Sequence, residues 1–259
     1  MKVLALNTAF SNSDVAILID DKKFYSSFAS NSKHSENALV CIDKLLRQNN
    51  VDIQNFETIS VVVGPGSFTG IRIGIALAKG MCVAKPDLKL VSICSLDLMA
   101  YIYVKKHNDK EFWCAIDALS GNIYVCKYDK KGMRMNSPQM LTAENISDIS
   151  GVVVGLNDDN LDFCLEKVSF NPESLLDYTL ELIDKKQFVS ESNFLPIYLR
   201  KSQAEMGLEN ANKKNWYKFN RWDIFNIVRT ISKRKLDKTA ICWMFKWFKL
   251  CLFWNFWKW

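Results

Sequence analysis

Histidine is almost missing from this chain, with two in 259 residues, His34 and His107, far apart and in different predicted elements. A metal site built on paired histidines at helical spacing is thereby excluded. The eight cysteines (Cys41, Cys82, Cys94, Cys114, Cys126, Cys164, Cys242 and Cys251) form no C-x-x-C pair and no Cys/His cluster. They read as reduced, mostly buried thiols rather than as a metal knot or a disulfide frame. Proline and glycine are sparse, at five and ten, and 49% of the residues are hydrophobic. Wholesale disorder is excluded, and one or two compact domains are expected. No long apolar run opens the chain: MKVLALNTAFSNSDVAILID carries one Lys and an acidic end, and reads as a strand rather than a signal peptide. The expected location is the cytoplasm.

The net charge of +6 is unevenly spread. Residues 1–211 hold 22 Lys+Arg against 26 Asp+Glu, a net of −4, whereas residues 212–259 hold 12 against 2, a net of +10. The body of the chain therefore gives no charge-based reason to expect it to grip RNA alone.

Apolar patterning predicts strands at Val3–Leu6 and Val15–Ile19, joined through the cluster Ser11-Asn12-Ser13-Asp14, and a third at Phe24–Ala29. A helix follows, with Ala38, Leu39, Ile42, Leu45 and Leu46 on one stripe, capped by Ser32 or Ser35 and ended by Asn49-Asn50. Thr58–Val63 is a β-branched run of the kind buried on both faces, leading into GPGSFTG and a helix to about Ala84. Leu88–Ile93 (strand) and Leu96–Lys105 (helix) complete the first half. The second half restarts with a hairpin, Phe112–Asp117 and Ile123–Tyr128 around Ser120-Gly121-Asn122, then a strand at Val152–Gly155 and a helix near Glu173–Asp184. Two halves that each open on a hairpin imply a duplicated α/β unit: actin-like (RNase H-like) lobes with mixed sheets flanked by helices.

The segment Gly64-Pro65-Gly66-Ser67-Phe68-Thr69-Gly70 joins a strand to a helix, a junction that can cradle phosphate. Its spacing matches neither the P-loop nor the dinucleotide fingerprint, and Pro65 removes a donor. Beyond it, apolar residues run almost all round the helix, and Gly70, Gly74 and Ala78 bare the backbone along one stripe. Such a helix is covered on more than one side, either inside a single core or with one face at a subunit interface.

Asn7-Thr8, His34-Ser35-Glu36, GPGSFTGIRIGIALAKG, Asp117-Ala118 and Pro196-Ile197-Tyr198-Leu199-Arg200 follow one another as the landmarks of TsaB proteins do. The chain resembles that family over residues 1 to about 205. The resemblance implies two actin-like lobes and a non-catalytic subunit that supports the catalytic protein TsaD, with the ATPase TsaE, in adding threonylcarbamoyl to the adenosine next to the anticodon of tRNAs. It further implies a partner contact through the first two helices, here Glu36–Gln48 and Ser67–Ala84. The candidate interface residues are Leu39, Ile42, Leu46, Phe68, Gly70, Ile71, Gly74, Ile75 and Ala78, with a homodimer as the alternative when the chain is alone.

No catalytic residue and no metal ligand is assigned. Actin-like ATPases carry an Asp near the end of the first strand to organise magnesium, and Asn7 stands there; a neutral amide is a poor ligand for a hard cation. Asn7 and Thr8 are the candidate nucleotide-binding pair, with ATP or ADP at the partner interface as the cofactor they would serve. Asp117 is the corresponding acid of the second half, with Asn122 where an acidic partner is usual. Ser67 and Ser120 have no base or G-x-S-x-G context. The competing reading is a stand-alone actin-like phosphotransferase or ATPase.

The expected division is residues 1–105, a first lobe with the interface helices; 106–210, a second lobe; and 211–259, a basic aromatic tail holding seven of the eight Trp. Three readings of the tail stand open: an RNA-binding arm, a helix in a membrane interface, and a reading-frame error at the end of the gene. Lys246 and Lys249 argue against a transmembrane helix between Ala240 and Trp257. The fold is expected to be complete without the tail.

Overall fold

The computed structural model describes residues 1–199, apart from 30–33, 108, 119–120, 143–144, 146–148, 158, 160 and 165. The tail, Ser32, Ser120 and the side chains of 34–39, including Leu39 and the alternative cap Ser35, lie outside the described residues. Met1–Ala78 and Asp87–Arg200 form one compact unit. A second consists of Lys79–Pro86 and Lys201–Trp259, of which the described part is the last turns of a helix and the connection after it.

Among the described residues, ten strands form two five-stranded sheets of one design. In the first, β1 (Lys2–Asn7), β2 (Asn12–Ile19) and β3 (Lys22–Ala29) make an antiparallel meander, and β4 (Thr58–Gly64) and β5 (Lys89–Cys94) add in parallel beside β1, giving the order β3-β2-β1-β4-β5. In the second, β6 (Phe112–Asp117), β7 (Asn122–Tyr128) and β8 (Gln139–Thr142) repeat the meander, and β9 (Val152–Leu156) and β10 (Glu166–Val168) add in parallel beside β6. The order is again third, second, first, fourth, fifth. The duplication expected from two hairpin openings is thus present strand for strand.

Each strand's character follows its place. β4 lies between two parallel neighbours and all seven of its residues are buried, hence the β-branched run TISVVVG. β8 and β10 sit at the rims and read QMLT and EKV, too short and too polar for periodicity to mark them. The expected turn Ser11–Asp14 is corrected: β2 starts at Asn12, and Ser13 and Asp14 are buried strand residues.

Among the described residues, four helices flank the sheets: α1 (His34–Gln48), α2 (Phe68–Ala84), α3 (Ser95–Val104) and α4 (Pro172–Asp184). α1 packs on β2 and β3. α3 follows the first sheet yet packs on β6, β7 and β10 as well as β4 and β5; α4 follows the second sheet and returns to β1, β2, β3 and β5. Each helix of this exchanged pair ties its own half to the other. Burial on both sides accounts for the apolar SLDLMAYIYV of α3. α4 starts at Asn171, whose side chain accepts from Ser174 N at 2.8 Å, with Pro172 fixing the first helical φ. Buried Thr179 on α4 meets Ser60 of β4, hydroxyl to hydroxyl at 2.7 Å.

Candidate functional site

The candidate site lies where the end of β1 meets the glycine turn before α2. Asn7 is the last residue of β1 and is fully buried. Its amide nitrogen donates to Asp14 Oδ2 at 3.4 Å and its oxygen accepts from Ala9 N at 3.2 Å. Thr8 Oγ1 donates to the carbonyl of Gly70 at 2.7 Å. Ser67 N donates to Ala9 O at 2.8 Å, and Gly70 N to Ser67 Oγ at 3.3 Å. Two of the N–H groups that a phosphate cradle would use are therefore held by the fold itself. The polar groups of the predicted nucleotide-binding pair likewise bond inside the chain.

Glycine is required at this junction by contact. A Cβ on Gly66 would stand 2.7 Å from Ala9 O, and one on Gly70 would overlap the carbonyl oxygen of Thr8. A Cβ on Gly74 would stand 2.8 Å from both Thr8 Oγ1 and Val61 Cγ1. At Gly70 and Gly74, named above among the candidate interface residues, the close approach bared by the small residues is taken by residues at the end of β1 and in β4 of the same chain. Gly64 has φ +112°, and a side chain there would press on Ile71 Cδ1 and Ile197 O.

The other predicted interface residues divide between interior and surface. Ile42, Leu46, Ile71, Ile75 and Ala78 are buried, whereas Phe68 is 49% exposed, as is Val40 on α1. Thr69 and Ala76 are exposed on α2. Arg72 lies over the Phe68 ring at 3.6 Å, and its Nε donates to Tyr198 Oη at 2.8 Å. Tyr198 packs on Phe68 with the rings tilted and their centroids 5.4 Å apart. Tyr198 of the last sequence landmark thus reaches the start of α2, a contact that no sequence period announces.

Sequence reading also missed an acid. Asp14 is the cross-strand register partner of Asn7, 2% exposed, and accepts from Ser27 Oγ at 2.7 Å. Burial pushes its carboxyl up from 3.8, against the pull of the Ser27 and Asn7 hydrogen bonds. Counting back across the hairpin would have found it. In the second half, Asp117 ends β6 as Asn7 ends β1, and its N–H donates to Asp159 Oδ2 at 2.9 Å. Among the described residues, no three His, Cys, Asp or Glu side chains gather as a metal site. Burial pushes the Cys94 thiol up to about 12 and the Cys164 thiol to about 11, where both stay protonated and unreactive.

Two halves of identical strand order with exchanged helices define an actin-like protein. A family model described as TsaD, tRNA N6-adenosine threonylcarbamoyltransferase, matches residues 28–161, just over half of the chain. The TsaB protein of Haemophilus influenzae is 28% identical over 134 residues, 52% of this chain and 56% of that protein. The TsaB protein of Bacillus subtilis is 30% identical over 133 residues, 51% of this chain and 56% of that protein. The match spans a little over half the length of these curated relatives. The crystal structure of YeaZ from Pseudomonas aeruginosa superposes with a TM-score of 0.63 at 21% identity, covering 76% of this chain and 99% of that one, which speaks for the fold. The chain belongs to the TsaD family and is similar to the TsaB proteins named above.

Among the described residues, no helix is long and apolar enough to cross a membrane.

Proposed function

We propose that the chain is a supporting, non-catalytic subunit of the machinery that places threonylcarbamoyl on the adenosine beside the anticodon of tRNAs. Its direct partner is a TsaD-like catalytic protein, and a TsaE-like ATPase and the tRNA join through the complex. The observation that carries this reading is the similarity to TsaB proteins, reported above, beside a family match over residues 28–161 that includes the glycine junction and α2. The junction's chemistry agrees with it. Asn7, Thr8 and Ser67 spend donors and acceptors on Asp14, Ala9 and Gly70, which suits a turn that holds α2 in place. On this reading the outer face of α1 and α2, with Val40, Phe68, Thr69 and Ala76 exposed, meets the partner, and ATP or ADP is shared across that contact.

The test is co-purification of the chain with the TsaD-like and TsaE-like proteins of its own cell, followed by tRNA modification with and without it. Modification that depends on the chain, with no ATP hydrolysis by the chain alone, is the expected result. Unaided hydrolysis of magnesium ATP at ordinary enzyme rates would support the stand-alone ATPase instead and sink this reading.

A further inference from the structure

Residues 188–198 carry only a single helical turn, Glu191–Asn193, and join neither sheet as a strand, yet they touch both halves of the compact unit. Val189 N donates to Leu90 O on β5 at 2.9 Å, and Phe194 is fully buried. Ile197 N donates to Val63 O at 2.8 Å, and its own carbonyl fills the space where Gly64 lacks a side chain. The Ile197 side chain packs against the core cluster in which Leu96 and Met99 of α3 meet Phe112, Tyr128 and Leu156 of the second sheet. Phe10, from the turn after β1, packs on the same cluster and meets Phe170 at a tilt, with ring centroids 4.8 Å apart. One residue beyond Ile197, Tyr198 faces outward, 46% exposed, holding Arg72 and covering Phe68.

Two successive residues therefore grip different bodies: Ile197 the core that α3 shares with the second sheet, Tyr198 the first turns of α2. Their Cα atoms are about 3.8 Å apart, as across any trans peptide, so neither can leave its seat by more than that without pulling the other. We propose that residues 194–198 are a latch between the lobes, and that Tyr198 is the positioning residue that fixes Phe68 and Arg72 at the start of α2. Two half-exposed rings and a guanidinium held rigidly are the side-chain types that dominate binding energy at protein interfaces. The lobe arrangement and the shape of this shelf are then one equilibrium. A protein that binds the shelf closes the latch, and a closed latch strengthens binding by the same factor. That second clause rests on the partner reading above, with the TsaD-like protein as occupant; the latch itself does not.

The experiment is hydrogen exchange on the full chain with a parallel titration of the TsaD-like protein, for wild type, Ile197→Ala, Tyr198→Ala and Tyr198→Phe. Loosening Ile197 should speed exchange about tenfold or more in the first turns of α2, which Ile197 reaches only through Tyr198 and Gly64. Tyr198→Ala should weaken the partner at least about fivefold, with the melting temperature nearly unchanged. Tyr198→Phe, which keeps the ring and loses the bond to Arg72, should fall between it and wild type. Partner-bound wild type should exchange more slowly at Phe112–Asp117, in the second half. Unchanged α2 exchange in Ile197→Ala, or faster exchange confined to the second half, overturns the latch. Should Ile197→Ala not fold, the α2 exchange of Tyr198→Ala decides by the same criterion. Wild type that does not bind the TsaD-like protein sinks the functional reading, while the exchange arm still decides the latch.

Discussion

The hydroxyl of Thr8 reaches the carbonyl of Gly70 through the space that a side chain on Gly74 would occupy. The hydrogen bond is 2.7 Å, both groups are buried, and a Cβ on Gly74 would stand 2.8 Å from the same oxygen. One buried bond therefore depends on a missing methyl group one helical turn further on. Gly74→Ala should lower stability by about 1–3 kcal/mol through overpacking, although Ala is the better helix former. Thr8→Ala should cost about 1 kcal/mol alone and recover part of the loss when combined with Gly74→Ala, because the pair shares one space. Urea denaturation of the four proteins checks this. Additive losses would mean that Val61 Cγ1, not Thr8, bears the contact.

The same bond marks where sequence reading stops. Strands were legible wherever burial imposes a uniform pattern, as in Thr58–Gly64, and the duplication was legible because each half opens on two apolar runs close enough in the chain to pair as a hairpin. Whether the glycine stripe of α2 faces in or out was not legible, since a backbone close enough to need Gly70 and Gly74 could belong to this chain or to another. The contact with Thr8 and Val61 decides for this chain. Asp14 passed as a turn residue because Ser, Asn and Asp are turn formers, and only the register puts it opposite Asn7. The extended stretch around Ile197 has no period of its own; its meaning lies wholly in what it touches.

Asp14 should make stability depend on pH in an unusual direction for a carboxylate. Its folded-state value is raised above 3.8 by burial, so the folded form binds its proton more tightly than the unfolded chain does. The stability it contributes is complete below the unfolded value and is lost as pH rises through the raised folded value. Asp14→Asn removes this titration. The stability of the variant relative to wild type should therefore climb with pH from 3.8 until it levels off above the folded value. Thermal melts of both proteins across that range supply the measurement, and a difference that stays flat or falls contradicts the assignment.

Asp97 on α3 gathers three donors: Tyr128 Oη at 2.8 Å, and Nε and an Nη of Arg134 at 2.6 and 2.5 Å. Tyr128 is fully buried, while the Arg134 side chain is 40% exposed. The two ends of the bond set are thus unequal. Asp97→Ala leaves a buried hydroxyl without its acceptor and should cost about 2–4 kcal/mol, whereas Arg134→Ala, with water free to replace it, should cost about 1 kcal/mol or less. Denaturant midpoints at constant slope decide it. Equal losses would show that the ion pair, not the tyrosine, is the stabilising part.

Residues 212–259 should be dispensable for subunit function. Among the described residues, the contacts that close the two lobes run up to Tyr198, and the net charge of +10 lies wholly beyond residue 211. Seven Trp clustered with Phe and Lys favour association with any apolar or anionic surface, so ending the chain after Asn210 should raise solubility. The melting temperature and the affinity for the TsaD-like protein should stay within error of the full chain. An RNA-contacting arm would behave differently: truncation would abolish tRNA modification while leaving partner binding intact, and tRNA binding by the full chain would weaken steeply with salt, roughly in proportion to the phosphates neutralised. Binding to anionic vesicles by the full chain, lost on truncation, would instead mark a membrane-surface segment. Either result overturns dispensability, and the salt dependence against tRNA and vesicles tells the two apart.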